Sequence, residues 1–392
     1  MNNNGSDILS VLFLALVCIV ISGLVYKFAP RNSNLIIPSF AFIAVALWIA
    51  YDYMMLSRYK AKEKCRKDNA NAQSLHDMVS DINSTSTASK AGSTLLGTII
   101  AAHGRHYLAR VNTEQGNAHW QCVTRGKKTN IAVGDSVHLQ QTSNNQAVIE
   151  KIVERSSLLY RSDQYKSKLL AANLTQVFIV VATEPGFADD LISRSLVAAD
   201  AAGISAHLIL NKTDVTPSLA KARERLRAYT SLGYPLHEVS ALGAPEAACA
   251  TLRPLLAQNS SIFIGQSGMG KSSLINLLVP DADIATREIS TALDTGKHTT
   301  TFTRLYNIDE IQASIIDSPG FQEFGLYHLS EGMIERAFRE FSPYLGGCKF
   351  YNCRHLIEPQ CAVLAAVAGG TIAPHRHALY AQLLHESAQT LY

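Results

Sequence analysis

Gly265-Gln266-Ser267-Gly268-Met269-Gly270-Lys271-Ser272 fits G-x-x-x-x-G-K-[ST], a pattern that can grip a chain of phosphates. Glycines there let backbone N–H groups curl around phosphate oxygens, and the helix that follows adds positive potential. Lys271 is expected to reach the β- and γ-phosphates. The Ser272 hydroxyl is expected to hold Mg²⁺, with Ser273 beside it. This pattern alone does not choose between ATP and GTP. Asn211-Lys212-Thr213-Asp214 does, because the Asp214 carboxylate can accept from guanine N1 and N2, an edge that adenine lacks. Asn211 is then expected at the base and Lys212 over it. Ser240-Ala241 would offer a backbone amide to guanine O6.

Two further stretches belong to the same chemistry. Asp317-Ser318-Pro319-Gly320 places a carboxylate where it can hold Mg²⁺ through water, and the Gly320 N–H can bond the γ-phosphate. Gly296-Lys297-His298-Thr299-Thr300-Thr301 sits where a first switch loop belongs, and Thr300 is taken as the threonine that closes on the metal. Phe321 stands after DSPG, and its ring cannot hydrogen-bond water. His298 is therefore the candidate to position the attacking water, with Gln322 as a second and a solvent-facing loop histidine as the bland alternative. Slow intrinsic turnover that a partner stimulates is expected. The order of these parts is NKTD, SA, phosphate loop, switch threonines and DSPG, a circular permutation of the usual GTPase order.

A separate cluster, Cys348-x₄-Cys353-x-His355-x₅-Cys361, offers three thiols and one imidazole at loop spacing. That set suits one tetrahedral structural zinc per chain. Lys349, Arg354 and Arg376 make its neighbourhood basic.

Those residues need elements to hold them. From Leu95 to about Leu158, short apolar runs (LLGTIIAA, YLARVN, HWQCVT, SVHLQQT, AVIEKIV) alternate with turns, which predicts a small OB-like β-barrel over 94–158. Arg105, Tyr107, Trp120, Arg125, Lys127 and Lys128 would suit a nucleic-acid face; equally, Trp120 could be core and the charges merely solvated. Over 159–327 the rhythm becomes strand–helix, with QVFIVVAT, AHLILNKTD, SIFIGQSG and ASIIDSPG as strands. Near-continuous apolar strands imply a mostly parallel sheet covered on both faces. Residues 328–392 hold the metal cluster and an amphipathic closing helix, HRHALYAQLLHESAQTL.

At 392 residues the chain has room for two or three domains. A net charge of +3 does not by itself announce a nucleic-acid partner, and seven cysteines, three of them in the metal cluster, argue against an extracellular disulfide framework. Two apolar runs, Ile8–Tyr26 and Leu35–Leu56, are each close to the roughly 20 residues a membrane-crossing helix needs. With the basic stretch Arg58–Lys67 after them, they read as a transmembrane hairpin over 1–57 whose exit is cytoplasmic. Buried soluble helices and a start site placed too far upstream stay open as alternatives. Residues 58–93 read as a flexible linker rich in Asn, Ser and Thr.

Taken together, GTIIAAHGRHYLARV, NKTD ahead of GQSGMGKSS, GKHTTT, DSPGF and CKFYNCRHLIEPQCAV resemble the RsgA family of small-ribosomal-subunit-dependent GTPases, from about Leu95 to the C-terminus. The resemblance implies a multidomain α/β protein with an OB-fold, a permuted P-loop GTPase domain and a helical zinc-binding subdomain. It implies GTP hydrolysis to GDP stimulated by the small ribosomal subunit, rRNA binding near the decoding region, and a part in late subunit maturation. It also implies a hydrolytic role for His298 and zinc on Cys348, Cys353, His355 and Cys361. The expected partners are GTP and GDP, the small subunit and its rRNA, and a membrane through residues 8–56; the chain is expected to be a monomer in the cytoplasm, tethered to the inner membrane where the hairpin inserts. Two departures stand out: Gln360 replaces the glycine expected before the last cysteine, and residues 1–93 have no counterpart in the family pattern. A membrane-tethered GTP-binding signalling module with a non-RNA partner is the alternative function. A non-hydrolysing RNA-binding protein is a third, motivated by Phe321.

Overall fold

In the computed structural model, residues 95–113, 116–126, 130–162, 167–282, 284, 303–320 and 324–389 are described. The hairpin of 1–57, the linker of 58–93, Lys127, Lys128, the switch stretch 296–301 with His298 and Thr300, Phe321 and Gln322 lie outside them. No helix among the described residues is long and apolar enough to cross a membrane.

Five strands form the barrel: β1 (Leu95–His103), β2 (His106–Thr113), β3 (Gly116–Thr124), β4 (Ser136–Ser143) and β5 (Gln146–Ile152). Strand β1 pairs with both β2 and β4, and β5 with both β3 and β4, which closes the sheet on itself. Alternate residues point inward, so Ile99, Ala109, Val111, Val137, Leu139 and Ile149 fill it. Tyr107 and Trp120 are buried in the same cluster. For Trp120 the core reading holds, and Tyr107, expected on a nucleic-acid face, is instead core, because both strand positions face inward. The barrel leans on the next hairpin at Gly134, where φ is +91° and a β-carbon would meet the Ala172 carbonyl oxygen at 2.3 Å.

That hairpin, β6 (Leu158–Ser162) and β7 (Ser167–Ala172), is a two-stranded sheet that the sequence pattern did not single out. Ser162 N–H donates to the Gly325 carbonyl (2.9 Å), and the Ser162 hydroxyl lies 2.7 Å from His328 Nδ1. The chain that follows DSPG is thereby fixed to the segment leaving the barrel.

The central domain runs β8 (Gln176–Ala182), α1 (Asp189–Ala201), β9 (Ser205–Asn211), α2 (Thr216–Thr230), β10 (Leu236–Glu238), α3 (Pro245–Leu256), β11 (Ser260–Ile264), α4 (Lys271–Leu278), β12 (Arg304–Ile308) and β13 (Ala313–Asp317). In space the strands lie β10-β9-β8-β11-β13-β12, all parallel except β12. Every residue of β8 is buried, as a strand covered on both faces requires. Helix starts follow local chemistry: Asp189 and Asp190 open α1, where the positive end of the helix favours them, and α2 and α3 carry proline in their first turns.

Among the described residues three α-helices follow, the short α5 (Glu331–Ala337) and α6 (Ala362–Ala368) and the longer α7 (Pro374–Ala388). Phe338, Phe341 and Tyr380 are fully buried among them. Arg194 of α1, itself buried, bonds Glu386 of α7 through both terminal nitrogens (2.8 and 2.7 Å). Arg339 bonds Asp200 in the same two-pronged way. These pairs seat the C-terminal segment on α1.

Candidate nucleotide and metal sites

The C-terminal ends of β8, β9, β11 and β13, together with the turn after β10, bring the nucleotide motifs to one edge of the sheet, the edge where open α/β sheets bind ligands. β11 lies between β8 and β13 and ends in the phosphate loop; Phe263 pairs with Asp317, so the loop and DSPG start side by side. Gly265 leaves β11 with φ +149°, against the Val180 carbonyl oxygen, and Gly270 enters α4 with φ +87°. A β-carbon at Gly270 would lie 2.3 Å from Asn211 Nδ2, so both the backbone angle and the neighbour demand glycine.

Asn211 explains that crowding. It is buried; its Nδ2 donates to the Met269 carbonyl (3.0 Å), and its Oδ1 accepts from Ala241 N–H (3.1 Å). Both ends of its amide are engaged within the protein, so it sets the distance between phosphate loop and base loop. The Ser240 hydroxyl donates to Asp214 Oδ1 and accepts from Gly243 N–H (2.9 Å), orienting the carboxylate that is expected to read guanine. Lys212 takes a left-handed φ of +61°. Its Nζ donates to the Glu184 carbonyl (2.8 Å), and its own carbonyl accepts from the Thr183 hydroxyl (2.8 Å). Thr213 N–H reaches the Val239 carbonyl (3.3 Å), tying the ends of β9 and β10.

On the phosphate side, Lys271 is buried, and its Nζ donates to the carbonyls of Gly265 (2.8 Å) and Gln266 (3.0 Å). Burial pulls its pKa down to about 8, against the opposing pull of Asp317. Ser272 and Ser273 lie in the first turn of α4. The Gln266 side chain accepts from Ala188 N–H (2.9 Å), pinning the loop to the start of α1, while Gly268 passes close to Pro185. Ser267 meets the DSPG turn: a β-carbon on Gly320 would stand 3.0 Å from Ser267 N and 3.2 Å from Lys271 Nζ. Ser318 is held beneath by its hydroxyl bond to the Phe263 carbonyl (2.8 Å). Glu184, Gly243 and the anchoring part of Gln266 carry no motif signature of their own; only the approach of separate loops reveals them.

The metal cluster assembles as its spacing implies. Ligand atoms of Cys348, Cys353, His355 and Cys361 all lie within 4.8 Å of one another. Thiolates held at about 2.3 Å by a tetrahedral zinc stand about 3.8 Å apart. Cys348 Sγ and Cys361 Sγ are separated by 3.8 Å, and His355 Nδ1 lies 3.5 and 3.3 Å from them. The residues therefore fit a zinc ion. Burial pushes the Cys353 thiol up to about 12, so a bound cation is what would make it a thiolate. Glu335 Oε2 faces the far nitrogen of His355 at 3.6 Å, a carboxylate partner that no sequence spacing announces. Gln360 adopts φ +59°, the left-handed turn for which glycine was expected, and Lys349 N–H bonds its carbonyl (3.2 Å). The expected basic surface is reduced: Arg376 is buried on Glu340, and Arg354 pairs with Glu331.

Similarity to known proteins follows the same lines. A sequence profile described as RsgA GTPase matches residues 152–327. The "Small ribosomal subunit biogenesis GTPase RsgA" of Burkholderia pseudomallei strain K96243 is 59% identical over 302 residues, covering 77% of this chain and 95% of that protein. The protein of that name from Paraburkholderia phymatum is 60% identical over 293 residues, 75% of this chain and 92% of the other. Among solved structures, YjeQ from Thermotoga maritima aligns with a TM-score of 0.58 at 27% identity, covering 76% of this chain and 99% of that one. YloQ, described as a circularly permuted GTPase, aligns at 0.56 and 24% identity over 77% of this chain and 98% of its own, and shares the fold.

Proposed function

This chain belongs to the RsgA GTPase family, and from that premise we propose that it hydrolyses GTP in the biogenesis of the small ribosomal subunit. One observation carries the reading: phosphate loop, NKTD, SA and DSPG meet at one sheet edge in permuted order, on a chain that spans 95% of a ribosome-biogenesis relative. The same correspondence favours a ribosomal target over a signalling partner.

Asp214, oriented by Ser240, reads the guanine edge, with Lys212 across the base and the Ala241 turn beside it. Asn211 keeps that pocket in register with the phosphate loop. Backbone N–H groups from Gly265 to Lys271 cradle the phosphates. Lys271 exchanges its two carbonyl partners for phosphate oxygens. Mg²⁺ supplies charge neutralisation at the β- and γ-phosphates; Ser272 and Thr300 would hold it, with Asp317 behind water. The Gly320 N–H meets the γ-phosphate, and His298 orients the attacking water. Zinc on Cys348, Cys353, His355 and Cys361 is structural, one per chain, because four protein ligands leave no open position.

We assign the chain to the cytoplasm as a monomer, with residues 8–56 as a membrane tether; the apolar runs support the tether, and recovery of the full chain in the soluble fraction would refute it. The test of function is GTP turnover by the full chain with and without purified small ribosomal subunits and rRNA-free controls. Stimulation is expected, and its absence with GTP still bound would sink the ribosomal reading.

A further inference from the structure

Among the described residues, one strand pairing splices the barrel to the central sheet: Ala101 of β1 faces Arg304, the first residue of β12. On its other side Arg304 pairs with Asp317, the carboxylate assigned to the Mg²⁺ site. A cavity of about 320 Å³ opens at this splice, at the lower end of the range for small-ligand sites. Arg110 and His119 wall it from the barrel, Arg304 and Tyr306 from β12, and Val279 from the end of α4. In sequence, Val279 precedes and Arg304 follows the stretch that carries His298 and the switch threonines. Two of its lining residues thus flank that stretch in sequence.

Its chemistry is cationic and aromatic. On β12, Arg304 is exposed and Tyr306 half-buried, two residues apart and therefore on the same side of the strand. The Arg304 guanidinium lies 5.4 Å from the Tyr306 ring centroid, so its described partner is a ring and not a carboxylate. Arg110 stands opposite His119 across β2 and β3, with the neighbouring Ala109 and Val111 turned into the barrel. The carboxylate on the wall, Asp309, is gripped by Arg110 through one nitrogen at 2.8 and 3.0 Å. Among the described residues, the wall then offers a guanidinium, an imidazole and a phenol on the β2–β3 side of an OB-like barrel, the side from which such barrels bind oligonucleotides. Single strands are held by this combination: a cation on the phosphate, a ring on the base.

We propose that this cavity binds one nucleotide of single-stranded RNA, with Arg304 at its phosphate and Tyr306 at its base. The proposal rests on the ribosome-directed reading, which makes RNA the polymer at hand. It adds a site to which the central domain contributes a strand, one residue pair away from Asp317. Occupancy would thus load the strand that connects barrel and Mg²⁺ carboxylate.

The test is anisotropy of a fluorescent, unstructured oligoribonucleotide titrated with the full chain over a salt series. Arg304→Gln keeps the backbone pairing; it is expected to weaken binding about five-fold and to lower the log–log salt slope by about 0.7, the single-strand value for one phosphate contact. Tyr306→Leu is expected to weaken binding by about five-fold or more through lost stacking, whereas Tyr306→Phe, which keeps the ring, retains it. Thermal melting of each variant separates a lost contact from a lost fold, and Arg304→Thr and Tyr306→Val, which remove the cation and the ring but suit a strand, serve with the same expected losses if the first changes unfold. Wild-type affinity and salt slope in both Arg304→Gln and Tyr306→Leu would overturn the proposal. Subunit-stimulated turnover of the unaltered chain is a separate readout: its absence refutes the ribosomal reading, while the oligoribonucleotide series still decides the cavity.

Discussion

Lys271 is where a single side chain links sequence to measurable chemistry. Its ammonium is buried among carbonyls, and burial holds its pKa near 8, below the 10.5 of a solvated lysine. At pH 9 the lysine of the free protein is mostly neutral, whereas phosphates favour a charged ammonium, so with Lys271 at the phosphates GTP binding is expected to take up a proton. Calorimetry at pH 9 in buffers of different ionisation enthalpy is expected to show uptake approaching one proton, vanishing at pH 7; a buffer-independent heat at pH 9 would contradict it. The same burial means that below pH 8 folding carries the cost of a buried charge, and this cost is relieved as pH rises from 8 towards 10.5. His298 makes a different prediction. His298→Ala is expected to keep GTP affinity and lose most subunit-stimulated turnover, roughly 10²-fold or more for a positioned acid–base group; normal stimulated kcat in that variant would remove the histidine from the mechanism.

At the scale of elements, the Cys₃His segment and its supports show how helices are held without a large core. Arg376 and Glu340 form a pair in which both side chains are buried, at 2.6 Å. Glu340→Ala leaves a buried guanidinium and is expected to cost about 3–5 kcal/mol, while Glu340→Met with Arg376→Met recovers most of it. Denaturant midpoints of the three proteins check this, and an equal loss in single and double variants would deny that the stranded charge is the cause. Glu335 orients His355 from α5. Glu335→Ala is expected to weaken zinc about 10–100-fold in a chelator competition, with the four ligands intact. Strands β8, β9, β11 and β13 were readable from their apolar runs, because a strand covered on both faces needs such residues throughout. The β6–β7 hairpin was not, since its residues are a mixture of apolar and charged side chains, and it is the backbone pairing of the two strands that defines it.

Across the whole molecule, permutation makes the C-terminal segment the direct continuation of DSPG. That segment is locked to α1 by Arg194, which is held at 7% side-chain exposure between Asp190 and Glu386. Glu386→Ala is expected to raise amide exchange of α7 and its neighbours by at least ~10-fold, about 1.4 kcal/mol of local opening, while the barrel is unaffected. Unchanged protection of α7 would mean that apolar packing around Tyr380 alone seats the helix. At the other end, the splice between β1 and β12 turns barrel and central domain into one continuous sheet. No hydrophobic period could announce it, because the residues involved, Ala101 and Arg304, pair through their backbones.

The amino-acid sequence by itself carried the GTPase motifs, their permuted order and the spacing of a Cys₃His cluster that could hold a metal. Phosphate, guanine and zinc each demand particular side chains at short spacing, and short spacing is what a linear chain displays. It left Trp120 undecided between core and surface and offered Tyr107 to the surface, and tertiary structure placed both inside. Tertiary structure also decided what orients the motifs: Asn211 between two loops, Ser240 on Asp214, Glu335 on His355. Those contacts join residues tens of positions apart, and their energy exists only once the chain has brought them within reach of a hydrogen bond.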